Sequence, residues 1–143
     1  MGAQSLMRVV LDTNVLLSAL ISAHGTPDII YRAWRAGKFD IVTSTTQLEE
    51  LQRASRYPKF KAILQPSRVG TMINNLRHAI ILERLTIQAE ARDPNDAFLL
   101  SMSIEGKADY LVTGDRRAGL LQQKNIHRTR ILTPTAFCDE IFK

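Results

Sequence analysis

Two kinds of apolar pattern alternate along this chain. Short aliphatic runs at residues 9–11, 40–43, 79–82, 109–113 and 130–132 read as buried strands. Between them, apolar residues recur at helical spacing. Leu16, Leu17, Leu20 and Ile21 form one such face; Ile29, Ile30, Ala33 and Trp34 form a second. Leu48 and Leu51 mark a third helix, Val69, Ile73 and Leu76 a fourth, and Phe98, Leu99, Leu100, Met102 and Ile104 a fifth. Helices are also predicted over residues 116–122 and 135–142, and residues 88–92 form a polar loop.

Punctuation between the runs agrees with this reading. Thr13 or Asn14 can cap the first helix, and Thr26 the second with Pro27 behind it. Ser44 or Thr45 caps the third, which Tyr57-Pro58 ends before a basic piece at 59–61. Pro66 or Ser67 opens the fourth, Asp93-Pro94 the fifth, and Thr133-Pro134 the last; Gly106 closes the fifth. Strands alternating with helices predict an α/β fold, a three-layer sandwich with a largely parallel sheet of four to five strands. No repeat or linker divides the chain. Residues 1–6 are expected to be a flexible tail and residues 7–143 a single domain.

Composition narrows the class. With 143 residues, 45% hydrophobic and 23% charged, the chain has material for one sizeable core. No apolar run approaches bilayer length, so no membrane role is expected. The lone Cys138 permits no internal disulfide, which fits a cytoplasmic protein, and it reads as packing beside Phe137. His24, His78 and His127 lack partners at metal-ligand spacing.

The acids change the picture. Asp12 sits where the first strand turns into a helix, the edge at which open α/β sheets bind ligands. Glu49 and Glu50 lie in the helix after the second strand; they point about 100° apart, so only one can face that edge. Asp93 and Asp96 open the helix before the fourth strand, and Asp115 follows that strand after Thr113-Gly114. Each has a plainer role open to it. Asp12 can serve the turn, Asp93 can be an N-cap, and Asp96 can answer the helix dipole. Asp28 reads as a first-turn acid, Asp109 as a turn residue, and Asp139 and Glu140 as a solvated face.

In a parallel sheet, strand ends share an edge, so several of these carboxylates can converge. Like charges brought together raise each other's pKa unless a cation lies among them. A hard divalent ion takes oxygen ligands and needs only a few carboxylates. Setting aside Asp12, Glu50, Asp93, Asp96 and Asp115 leaves nine acids against 19 Lys and Arg. Basic clusters at Arg53, Arg56, Lys59 and Lys61, and at Arg116, Arg117, Lys124, Arg128 and Arg130, would surround an acidic centre, an arrangement suited to a polyanion.

The set Leu11-Asp12-Thr13-Asn14-Val15, Glu50-Leu51, Asp93-Pro94-Asn95-Asp96-Ala97 and Thr113-Gly114-Asp115 resembles the PIN-domain family, in particular its VapC-like toxins of toxin–antitoxin systems. The resemblance implies a Rossmann-like sheet and a Mg²⁺- or Mn²⁺-dependent endoribonuclease. Asp12, Glu50, Asp96 and Asp115 match the family's catalytic and metal-binding acids, with Asp93 an additional acid reaching metal through water. Asn14 and Thr113 match its polar supports. It further implies RNA as substrate, a small antitoxin as partner and a homodimer. Two other classes compete with it. One is the same fold as a metal-free RNA-binding module, against which the presence of all four acids argues. The other is a phospho-acceptor or phosphatase domain with Asp12 as nucleophile. A phosphatase of that kind wants a second acid where Asn14 stands, and a receiver wants an adjacent acidic pair where only Asp12-Thr13 is found.

Overall fold

The computed structural model of the protein describes residues 6–114 and 119–142. In chain order these form β1 (Arg8–Leu11), α1 (Thr13–Ile21), α2 (Thr26–Arg35), β2 (Asp40–Ser44), α3 (Thr45–Ala54), α4 (Pro58–Lys61) and α5 (Pro66–Leu76). There follow β3 (Ile80–Leu82), α6 (Pro94–Glu105), β4 (Tyr110–Val112), α7 (Leu120–Gln123), β5 (Asn125–Ile126), β6 (Thr129–Leu132) and α8 (Pro134–Ile141). The strands make one sheet in the order β3-β2-β1-β4-β6-β5. β1 lies in the interior, with Val10 in register with Val42 on one side and Leu111 on the other. These pairings and those of β3 and β6 are parallel; β5 alone among the described strands runs antiparallel, against β6.

The pattern of the inner strands explains the layering. Val9 and Leu11 join one core and Val10 the other; Ile41 and Val42 divide the same way, as do Val112 and Leu111. Side chains alternate across a strand, so a strand apolar at every position must be covered on both faces. On one face lie α1, α2, α3, α5 and α8, represented by Leu16, Trp34, Leu51, Met72 and Phe137. On the other lie α6 and α7, with Leu99, Met102 and Leu120, helped by Leu82, Leu85 and Ala89. The irregular segment contributing Leu85 and Ala89 is fastened to α6. The Thr86 amide and hydroxyl donate to Glu105 (2.9 and 2.6 Å), and the Ala89 amide donates to the Ser101 hydroxyl (2.9 Å).

The six-stranded sheet exceeds the four to five strands expected. The addition is two-residue β5, turned back by His127 at φ 51°. A short hairpin through His-Arg carries none of the Asn-Gly signal that marks such turns. Residues 58–61, read as a basic piece, form the single-turn α4. Two caps also differ. Asp12 itself caps α1, accepting from the Asn14 amide, where Thr13 or Asn14 had been expected. Gly25 precedes α2 with no side-chain cap, so Thr26 lies inside that helix. Ser44, Asp93 and Thr133 cap their helices through side-chain oxygens.

Candidate active site

The carboxyl edge of the sheet carries buried polar side chains. Asp12 ends β1 and is only 2% exposed. Its amide donates to the Val112 carbonyl (2.9 Å), which ties the turn to β4. One carboxylate oxygen accepts from the Asn14 amide (3.2 Å) and the other from the Thr113 hydroxyl (2.8 Å). Two donors from two chain segments thus fix the plane of one carboxylate. Thr113, fully buried, reaches it from the end of β4. Asn14 contributes its backbone, while its side chain is exposed.

Glu50 projects from α3 toward the same turn and is half-buried; Glu49 faces solvent. Burial pushes the Glu50 carboxyl above its usual range. A hydrogen bond from Thr13 pulls it back, the Asp12 charge pushes it up again, and Arg53 lowers it. Those influences place Glu50 within electrostatic reach of Asp12 and in contact with Thr13.

Gln47, which sequence patterning did not single out, holds this arrangement together. It is 1% exposed, and its amide nitrogen donates to the Leu11 carbonyl (2.7 Å) and the Thr13 hydroxyl (3.4 Å). Its amide oxygen accepts from the Thr43 hydroxyl (2.7 Å). A chain of hydrogen bonds therefore runs Thr43–Gln47–Thr13–Glu50, joining β2, α3 and the end of β1. Buried networks of this kind fix geometry because an unmade bond in them is costly. The available signal was a glutamine one helical turn before Glu50, on a face otherwise set by Leu51 and Ala54.

Asp96 is 2% exposed in the first turn of α6. The far end of α6 lies at the opposite edge, where Arg8 donates to the Gly106 carbonyl (3.1 Å). Twelve residues of helix span about 18 Å, so the Asp96 end returns toward the carboxyl edge. Asp93 is exposed, and one of its oxygens accepts from the Asn95 amide (2.7 Å). Asp115, the remaining acid of the predicted set, lies outside the described residues, as do Arg116 and Arg117. A cleft of about 560 Å³ opens at this edge past Gly114, lined also by Thr26, Pro27 and Thr133.

A PIN-domain family model matches residues 8–117. The chain belongs to the PIN-domain family. An uncharacterized protein of Methanocaldococcus jannaschii is 29% identical to it over 146 residues, covering 96% of this chain and 93% of that protein. PIN domains are generally nucleases that use divalent metal ions and act on RNA. All five acids singled out here fall within the matched span.

The donor set suits such an ion. Asp12, Glu50 and Asp96 offer oxygen, the donor of choice for hard cations, and no thiolate or imidazole stands among them. Among the described residues no three His, Cys, Asp or Glu side chains form a ready-made cage. Mg²⁺ does not require one, since it commonly keeps several waters beside one or two carboxylates. No described helix is long and apolar enough to cross a membrane.

Proposed function

We propose that this PIN domain is a metal-dependent endoribonuclease acting as the toxin of a toxin–antitoxin pair. The observation that carries the nuclease reading is the burial of Asp12 and Asp96 at one sheet edge, with the half-buried Glu50 held against Asp12's turn. Carboxylate oxygens are the donors a hard divalent cation prefers. Asp12, Asp96, Asp115 and Glu50 would hold Mg²⁺ or Mn²⁺, with Asp93 contributing through water. Such an ion supplies an activated water and neutralises charge on the phosphodiester.

The chain's own groups do the rest. Thr113 and the Asn14 amide keep the Asp12 carboxylate in one orientation. Gln47 and Thr13 steer Glu50, which serves as a ligand or as the group that positions the attacking water. Arginines and lysines outside the centre hold the RNA backbone. The toxin role, with a small antitoxin, a homodimer and action in the cytoplasm, is supported by the resemblance of the four acid motifs to VapC-like toxins.

Cleavage of a mixed single-stranded RNA pool with Mn²⁺, Mg²⁺ or EDTA tests the chemistry, with Asp96→Asn as the contamination control. Metal-dependent cutting lost in the variant supports the nuclease; equal cutting by both proteins refutes the site. Growth arrest on expression, relieved by a small neighbouring gene, tests the toxin role.

A further inference from the structure

A second feature lies on the other flank of α3. Gln52, Ser55 and Arg56 at the end of that helix face Lys61, Leu64, Pro66, Val69, Gly70 and Ile73 across a half-enclosed groove of about 270 Å³. Its floor is aliphatic and its rim is basic. The surrounding sequence is unusual in charge: from residue 51 to residue 82 there is no Asp or Glu, against Arg53, Arg56, Lys59, Lys61, Arg68 and Arg77. Arg68 is partly committed, donating to the Leu20 carbonyl (3.1 Å), and Lys59 lies over the Phe60 ring. Arg53, in the last turn of α3, and Arg56, just past its end, are both exposed. They bridge the Glu50 flank to the groove.

Gly70 is an independent sign that the groove is kept open. It stands in the interior of α5, where glycine is less stable than alanine. Nothing in the fold requires its lack of a side chain: a Cβ there would meet no atom within 4 Å, and its φ is not in the left-handed region. A larger residue would project into the groove instead.

We propose that this groove is an RNA subsite that takes an unpaired base from the strand whose scissile phosphate lies at Asp12, with Arg56 and Lys61 on the flanking phosphates. The proposal rests on the ribonuclease reading. A single strand brings together a flat apolar face and closely spaced negative charge, which is what an aliphatic floor under a basic rim complements. Gln52 adds hydrogen-bonding groups at the base's edge; the Ser55 hydroxyl is committed, donating to the Gln52 carbonyl (2.6 Å). A second copy of this chain would bring its own basic rim against this one, and like charges oppose that pairing.

The test is binding of a fluorescent single-stranded RNA of mixed sequence in EDTA, read by anisotropy across a salt series. Hydrolysis of bis(p-nitrophenyl) phosphate with Mn²⁺, which reports the acidic centre without needing the groove, is run in parallel. Gly70→Leu fills the groove and replaces a helix-breaking residue, so it should fold at least as well as the parent. Losing the burial of a base face on the aliphatic floor should weaken RNA binding roughly tenfold with the salt slope unchanged. Arg56→Gln with Lys61→Gln removes two phosphate contacts and should flatten the log–log salt slope by about 1.4, at about 0.7 per contact. Hydrolysis of the small ester should stay at the parental rate in both.

RNA affinity at the parental level in both variants overturns the subsite, whatever the small ester shows. So does a parent that binds no RNA, or one that takes an acidic peptide in the groove in preference to RNA. A change of oligomeric state in Gly70→Leu overturns it in favour of a second copy. Loss of small-ester hydrolysis in Asp12→Asn with the groove results as expected leaves both readings standing. A parent inactive on the small ester and on RNA, yet showing those results, removes the nuclease and keeps the binding groove.

Discussion

Asp12 and Asp109 stand at opposite edges of one sheet, each next to a strand terminus, and the fold treats them differently. Asp109 precedes β4 at the amino edge. One of its oxygens accepts from the Arg8 amide (2.8 Å) and the other pairs with the Arg128 guanidinium (2.7 Å). It is a fastener between β1, β4 and the β5–β6 hairpin, with its charge answered by an arginine at the surface. Asp12, at the carboxyl edge, is nearly sealed from water, and a hydroxyl and an amide orient its carboxylate. A second acid, Glu50, is held nearby at the expense of its own ionisation. At one edge a carboxylate is a surface fastener; at the other a buried carboxylate lies within electrostatic reach of a second acid.

The difference can be broken at several points. The largest effect is expected at Asp12. Asp12→Asn keeps the shape and loses the charge. Since a metal centre supplies several kcal/mol of transition-state stabilisation, RNA cleavage should fall by roughly a thousandfold or more, with the circular dichroism spectrum unchanged. Thr113→Val and Gln47→Leu act through their neighbours. Each should lower activity or metal affinity by about 10- to 100-fold, measured by cleavage rates across a metal titration. Gln47→Leu should also destabilise the fold, because it leaves the Thr43 hydroxyl and the Leu11 carbonyl without their partner.

Glu50 offers a test with a sign. Its folded-state pKa is raised, so the folded protein binds the proton more tightly than the unfolded chain does. Its contribution to stability is present below the unfolded glutamate value and is lost as pH rises through the raised folded value. Above that window the ionised Glu50 opposes folding. Glu50→Gln should therefore raise Tm at neutral pH and make no difference at low pH. Divalent metal should raise the Tm of the parent more than that of Glu50→Gln, since a ligand of the native state alone stabilises it. The smallest effect belongs to Asp109→Asn. A mostly exposed ion pair contributes up to about 1 kcal/mol, so Tm should drop slightly while cleavage per folded molecule is unchanged.

Much of this was legible before the fold was seen, and for identifiable reasons. Strands apolar at every position, such as residues 9–11, announce burial on both faces, and the two cores divide them residue by residue. Of the two adjacent glutamates, the helix turns Glu50 inward and leaves Glu49 in solvent, a choice that spacing posed without deciding. Asp28 was less legible. It is a first-turn acid, as its position suggests, yet it is 4% exposed and holds both Arg32 (2.9 Å) and the His24 amide (2.9 Å). That role depends on the turn before α2, where His24 adopts φ 67°. Gln47 shares the buried face of Leu51 and Ala54, but its role was not legible because its partners are a carbonyl and two hydroxyls on other elements.

The contrast between the two edges is tested most directly by assaying Asp12→Asn and Asp109→Asn beside the parent on the same single-stranded RNA pool, with Mn²⁺ and with EDTA. The expected result is metal-dependent cleavage by the parent and by Asp109→Asn, and none by folded Asp12→Asn. Cleavage by Asp12→Asn at the parental rate, or its loss in a folded Asp109→Asn, would contradict the assignment of the carboxyl edge as the reactive one.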